Sequence, residues 1–282
     1  MDFIHFAASH GVEIQRLYPS DRIQRCPTTT HPNKKNGAYF FDGRRGFVWN
    51  WETGCGVQWW NDPNSNGWSE QEKRAWADRQ RQARQDKARR QADAAIKAWD
   101  LLRSAQVKPH GYLKYKGFPE AKGLVLPDGA LMVPMRDCQT NALIGAQMIS
   151  LVNNEFEKKM LYGQRSKGAV FRIGHKNATE AILCEGYATG LSIELAAKRL
   201  SLDASIVVCF SASNLVYVAG IIGCRRKLVF ADNDKSFTGE RAALETGLPY
   251  VISNTDGHDA NDDHKKFGIL SVCTKLMELM AQ

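Results

Sequence analysis

The chain is conspicuous first for what it does without. Its seven cysteines, Cys26, Cys55, Cys138, Cys184, Cys209, Cys224 and Cys273, form no C-x-x-C pair. A zinc ribbon needs thiolates in close pairs, so a structural zinc site is not supported. Cys26 and His31 could each donate to a metal, but no matching pair follows downstream. Most of the cysteines lie in apolar runs such as Ile182-Leu-Cys184 and Val207-Val-Cys209-Phe, and read as small core residues in a reducing compartment. No apolar run approaches the roughly 18 residues of a membrane span. The N-terminal Met1-Asp-Phe-Ile-His5 has no basic stretch followed by a long apolar one. The expectation is a soluble, cytoplasmic protein with no membrane partner. A G-x-x-x-x-G-K-[ST] sequence is also missing, which excludes a P-loop motor from these residues.

What is present is charge, unevenly spread. The 282 residues carry a net +8. Residues 1–68 contribute +1, residues 69–104 contribute +4, residues 105–175 contribute +5 and residues 176–282 contribute −2. A basic middle beside an acidic end suits a polyanion-binding surface next to a site able to hold cations. Charge alone favours the plainer reading, a solvated helix with a long-stemmed charged face.

Texture divides the chain at the same places. Residues 2–10 carry a helical apolar pattern (Phe3, Ile4, Phe6, Ala7) stopped by Gly11. From Arg22 to Trp60, aromatic and β-branched stretches are broken by Pro27, Pro32, Asn36-Gly37, Asp42-Gly43 and Gly54, which predicts a small β-rich domain over 1–68. Its Trp49, Trp51, Trp59, Trp60 and Trp68 are expected mainly in its core. Base stacking is the other use for such residues, with Lys34, Lys35, Arg44 and Arg45 as phosphate contacts. Residues 69–104 lack glycine and proline and open on a capping-box pair, Ser69 and Glu72. They predict a basic helical linker whose end, from Ala94 to Leu102, docks on a core.

Over 105–175 short strands and turns alternate. Beyond 176 the apolar runs Ala181–Cys184, Ser205–Phe210, Lys227–Ala231 and Pro249–Ile252 are separated by helical patterns at 187–200, 213–222 and 238–246. Continuously apolar strands alternating with helices predict a parallel sheet covered on both faces, with ligands at the carboxyl ends of its strands. There the sequence places Glu185 after the first strand, Asp232 and Asp234 after the third, and Asp256, Asp259, Asp262 and Asp263 after the fourth. Gathering like charges costs energy unless cations neutralise them, so an oxygen-ligand site for Mg²⁺ or Mn²⁺ is the economical reading. Asp262 and Asp263 are equally suited to capping a helix before Lys265.

In order and placement these acids resemble the Toprim domain shared by bacterial-type primases, type IA and II topoisomerases and certain nucleases. The family's glutamate corresponds to Glu185 and its Asp-x-Asp to Asp232 and Asp234. The resemblance to phage and plasmid primases is closer still. It includes Glu185-Gly-Tyr-Ala-Thr-Gly-Leu-Ser, Phe210-Ser-Ala-Ser-Asn-Leu, Ala231-Asp-Asn-Asp with Thr238-Gly-Glu-Arg-Ala-Ala, and Asp259-Ala-Asn-Asp262. Upstream, His110-Gly-Tyr-Leu-Lys-Tyr-Lys116-Gly, Leu131-Met-Val-Pro-Met-Arg-Asp, Gly145-Ala-Gln147 and the Lys159, Gly163, Lys167-Gly168 series resemble the first half of a primase core. Asn36-Gly-Ala-Tyr, Asp42-Gly-Arg-Arg-Gly-Phe and Asn50-Trp resemble the front domain of those proteins, without its usual cysteine pattern.

The resemblance implies an α/β fold in which a Toprim parallel sheet flanked by helices (176–282) follows an α+β primase-core subdomain (105–175) and a small β-rich domain. It implies a DNA primase making RNA primers on a single-stranded DNA template from ribonucleoside triphosphates by divalent-metal-dependent nucleotidyl transfer. Asp232 and Asp234 would be the main metal ligands, Glu185 a ligand or general base, and Asp259 and Asp262 outer ligands. Lys116, Arg136, Lys159 and Lys167 would hold template or triphosphate. With no P-loop here, a separate replicative helicase is implied. A Toprim nuclease using the same acids, or a catalytically idle nucleic-acid-binding regulatory protein, are the competing readings. A topoisomerase needs a nucleophilic tyrosine in a further large domain, whereas Tyr112, Tyr162 and Tyr187 fall in or beside the core.

Overall fold

The computed structural model describes residues 1–63, 70–174 and 177–282. Trp68 and Ser69, and with them the expected capping box and the boundary between the first domain and the linker, lie outside the described residues. The chain forms two compact units, Met1–Gln80 and Arg81–Gln282.

In the first unit, helix α1 (Phe3–Ser9) is capped by Asp2, whose carboxylate accepts from the His5 backbone N–H at 2.8 Å. Strands β1 (Gln24–Cys26), β2 (Gly37–Phe41), β3 (Arg45–Asn50) and β4 (Gln58–Asn61) follow as an antiparallel sheet in sequence order. Phe3, Ala7, Val12, Cys26, Tyr39 and Val48 make its core. Burial pushes the Cys26 thiol up to about 11, and His31 is paired with Glu52 at 2.6 Å.

The tryptophans depart from expectation. Trp60 packs on Phe3 and Phe41, but Trp49, Trp51 and Trp59 are exposed. Alternation explains it: Trp49 lies opposite Ala38, and Trp59 opposite Phe47, on the sheet face that α1 does not cover.

Helix α2 (Glu70–Ser104) begins in the first unit and ends in the second. Its described side chains are largely exposed until Ala94 and Ala98, which are buried. Ala98 joins Leu126, Met132, Leu143 and Ala146 in a core with Leu101 and Leu102 at its rim.

The second unit continues with β5 (Gln106–Pro109), α3 (Gly111–Tyr115), β6 (Lys122–Val125), β7 (Leu131–Asp137), β8 (Leu143–Val152), β9 (Glu155–Met160) and β10 (Ala169–Ile173). After these come β11 (Glu180–Cys184), α4 (Tyr187–Arg199), β12 (Ala204–Val208), α5 (Ala212–Ile221), β13 (Arg226–Ala231), α6 (Thr238–Thr246), β14 (Tyr250–Ile252), α7 (Ala260–Phe267) and α8 (Ile269–Met280). One mixed sheet runs β14-β13-β11-β12-β10-β7-β6-β5, with β8 and β9 paired beyond β7. Strands β11 to β14 are parallel to their neighbours in this group, and β10 is antiparallel to both β12 and β7.

The parallel strands are apolar throughout because both faces are covered. Ile182, Cys184, Ile206, Val208 and Phe230 pack with Ile193 of α4 and Val272 and Leu276 of α8. Ala181, Leu183, Val207, Val229 and Ala231 pack with Leu215 and Val218 of α5 and Ala243 of α6. Among the described residues no helix is long and apolar enough to cross a membrane.

Candidate active site

Three adjacent strand ends bring the predicted acids to one edge. β11 lies beside β13 and β13 beside β14. Glu185 follows β11, Asp232 and Asp234 follow β13, and Asp259 caps α7 after β14.

The backbone around them is held closely. Asn233, between the two aspartates, donates from its backbone N–H to the His258 carbonyl at 3.0 Å and from Nδ2 to the Ser253 carbonyl at 3.0 Å. Its own carbonyl accepts from the Gly257 N–H at 2.6 Å. These bonds fix the loop after β13 against the loop after β14. Gly239 lets the start of α6 approach the first aspartate: a Cβ there would sit 2.3 Å from the Asp232 carbonyl oxygen. The Thr189 hydroxyl of α4 donates to Asp259 Oδ2 at 2.8 Å, so α4 joins the acid cluster to α7.

The four carboxylates are in unlike states. Burial raises the Asp232 carboxyl to about 8, reinforced by Asp259, Glu185 and Asp234 and opposed by Lys158. Its Oδ1 is buried without a hydrogen-bond partner. Glu185 is also raised, by burial and then Asp234, with the Ala212 N–H working against both. For Asp234 burial pulls upward, but hydrogen bonds from the Ser236 hydroxyl and the Gly239, Thr238 and Ser236 backbone N–H groups outweigh it and hold the group below the usual range. Asp259 accepts from the Asn261 and Asp262 N–H groups at 2.7 and 2.9 Å, and Asp262 accepts from the Asp259 N–H at 3.3 Å. Asp262 is therefore the returning half of a capping box, and Asp263 pairs with His258 at 2.8 Å.

The donor set suits a hard divalent cation: oxygens only, with one buried carboxylate oxygen unpartnered on Asp232, whose ionisation is made costlier by burial and then by three neighbouring acids. Among the described residues, however, no three His, Cys, Asp or Glu side chains are drawn together closely enough to form a ready ion site. Asp234 and Asp259 spend their oxygens on local N–H groups instead.

The basic residues sort by sheet face. Strand β9 alternates, so Lys158 lies on the face of Phe156, which packs on Tyr112, while Lys159 lies with Glu157 and pairs with it at 2.6 Å. Lys158 is exposed as a residue, yet desolvation and then Lys116 lower the pKa of its ammonium, with Asp259 and Asp232 working against both. Lys116 is fixed from behind by Asn261, whose Nδ2 donates to its carbonyl at 2.8 Å. Lys167 stands 4.3 Å from the ring centre of Tyr217 on α5. Arg136 lies on the sheet face covered by α2 and α5, bonded to the Asn141 carbonyl at 3.0 Å. Lys34, Lys35, Arg44 and Arg45 belong to the first unit, where the Lys35 carbonyl accepts from Arg25 at 2.6 Å.

Sequence reading missed Lys158 and Asn233. The first was signalled by the alternation in Phe156-Glu-Lys158-Lys159, which places Lys158 with the apolar residue. The second had no signal, because its partners are carbonyls on a loop 20 residues away.

Residues 180–269 match the family model of the Toprim domain. This segment, which carries all four coupled acids, is a Toprim domain, and the resemblance seen in its motifs extends from β11 to the start of α8. Among solved structures, the chain is similar to one from bacteriophage T7 lagging-strand DNA polymerase interacting with primase domains of two gp4 subunits bound to an RNA/DNA hybrid and dTTP. The identity is 13%, the TM-score 0.41, and the match covers 63% of this chain and 92% of that one. No curated protein matches the chain.

Proposed function

We propose that the protein is a DNA primase: a nucleotidyltransferase that joins ribonucleotides on a single-stranded DNA template. The observation that carries this is Asp232, a buried carboxylate with an unpartnered oxygen at the carboxyl end of a Toprim strand, coupled to Glu185, Asp234 and Asp259. The choice of primase among Toprim activities is supported by the primase-like motifs between His110 and Gly168.

Asp232 and Asp234 would hold Mg²⁺ or Mn²⁺, with Glu185 beside them and Asp259 and Asp262 as outer groups. When bound, the cation would neutralise the carboxylates and stabilise charge on the attacking and leaving oxygens of the transferred phosphate. Glu185, raised by burial, is suited to take a proton from the attacking 3′-hydroxyl. Lys158 and Lys116 would bind triphosphate or template beside the acids, with Lys159, Lys167 and Arg136 further out. A helicase motor would come from outside these residues.

The test is incubation with single-stranded DNA, labelled ribonucleotides and Mg²⁺ or Mn²⁺, comparing wild type with Asp232→Asn. Template-dependent oligoribonucleotides that the variant does not make are expected. Degradation of the DNA would replace this reading with a nuclease, and binding with neither product would replace it with an idle binding module.

A further inference from the structure

A second basic feature lies away from the acids. On the sheet face opposite α4 and α8, the end of α2 covers β6 to β8 and α5 covers the parallel strands. Neither helix covers the seam where β7 pairs with β10. A cleft of about 700 Å³ opens there, walled by Leu102 on the α2 side and by Ile221, Ile222 and Gly223 on the α5 side. Its floor carries two guanidinium groups, Arg136 from β7 and Arg172 from β10.

Among the described residues neither guanidinium is paired with a carboxylate, although Asp137 also lines the cleft. Among the described residues Arg172 is half-buried and makes one hydrogen bond, from NH1 to the Ser205 hydroxyl at 2.9 Å. Burial works against its charge and lowers its pKa. Arg136 donates to a backbone carbonyl and stands 5.9 Å from the ring centre of Trp99. Asp137 is already taken by Arg165 and by the Thr140 and Gln139 N–H groups at 2.7 and 3.1 Å. A half-buried guanidinium with most of its donors unspent is costly unless an anion meets it.

The guanidinium of Arg172 is directed away from the acids. Its backbone pairs with Val207, one residue short of the carboxyl end of β12, but NH1 reaches back to the Ser205 hydroxyl near that strand's amino end. The acids follow the carboxyl ends of β11 and β13.

We propose that this cleft binds a phosphorylated small molecule of nucleotide size, its phosphates on Arg136 and Arg172 and its ring against the apolar walls. The charge fits an anion, since paired planar guanidinium groups suit phosphate oxygens. The volume falls within that of small-ligand sites, roughly 300–1,000 Å³. The inference goes beyond the polymerase reading and does not rest on it.

Equilibrium binding of ATP and GTP to the full chain in EDTA tests the site, because the acid edge then has no cation to offset its repulsion of triphosphate. Saturable binding is expected. Arg136→Gln with Arg172→Gln should weaken it by about ten- to a hundredfold, the range for hydrogen bonds to charged groups. Gly223→Trp offers a second variant: Gly223 lines the cleft and a Cβ there meets nothing within 4 Å, so a large side chain starts in open space at the cleft wall, and binding should again be lost. Arg89→Gln, at an exposed position of α2 outside both sites, should bind as wild type does. Unchanged binding in the double-arginine and Gly223 variants would overturn the proposal, as would a loss confined to Lys158→Gln. A site that takes a deoxythymidine decamer but not ATP would be a nucleic-acid groove and would overturn it too.

Discussion

The side-chain amide of Asn261 donates to the carbonyl of Lys116 at 2.8 Å, closing a contact between residues 145 apart in the chain. The same amide donates to the Ser192 hydroxyl at 3.1 Å, and Asn261 is fully buried. One side chain thus ties α3, α4 and α7 together beside the acids. Replacing it with leucine takes this donor from the partly buried Lys116 carbonyl, while the Ser192 hydroxyl keeps its bond with His264 at 3.2 Å, so Asn261→Leu should lose about 1 kcal/mol of stability in urea unfolding. Stability equal to wild type would mean that the bond is not made.

Asp232 gives a pH signature. Folded, it keeps its proton up to about pH 8; unfolded, it releases it near the ordinary aspartate value of about 3.9. Between these values the folded state binds a proton that the unfolded state does not, so stability falls as pH rises from about 4 through about 8. In EDTA, Asp232→Asn should therefore melt above wild type at pH 8.5, at about 2–4 °C per kcal/mol for a domain this large, and the gap should close towards pH 4. Added Mg²⁺ should raise the melting temperature of wild type and leave the variant where it was. A gap that does not change with pH would count against the raised carboxyl.

Gly239 is a packing constraint on the same aspartate. A Cβ 2.3 Å from the Asp232 carbonyl oxygen forces the start of α6 away, at a cost of about 1–3 kcal/mol for overpacking. Gly239→Ala should lower thermal stability and, by moving Asp232, reduce nucleotide transfer more than substrate binding. Full activity in that variant would show that the loop can yield.

Lys158 and Lys159 separate the two faces of β9. Lys158→Glu should weaken binding of single-stranded DNA or nucleotide by about tenfold or more, because it turns a charge beside the acids. Lys159→Glu, on a side chain already paired with Glu157, should have a much smaller effect, similar to that of reversing the exposed Arg89 or Arg90. Fluorescence anisotropy with a labelled oligonucleotide reads the difference, and the opposite ranking would refute the assignment.

The local pattern of the chain was enough to reveal the parallel sheet. Apolar runs such as Ala181–Cys184 and Lys227–Ala231 sit between helical patterns, and the strand ends they mark carry Glu185, Asp232, Asp234 and Asp259. Such features are properties of a few consecutive residues, which periodicity and turn chemistry can read. The aromatic residues of the first unit were less legible. Alternation puts Trp49 and Trp59 on one face, but only the assembled sheet shows that α1 covers the other.

Charge state and pairing were settled by tertiary structure. Asp232 and Asp234 are two residues apart in the same segment after β13, yet burial raises one and local N–H groups hold the other down. Asp262 is a cap because Asp259 is already at the start of α7. The two arginines of the cleft, 36 positions apart in β7 and β10, share a floor only because those strands pair. Sequence by itself determined which residues stand at the strand ends, since that depends on local order. Which of them are buried, neutral or paired depends on neighbours brought from far along the chain, and only the fold supplies those.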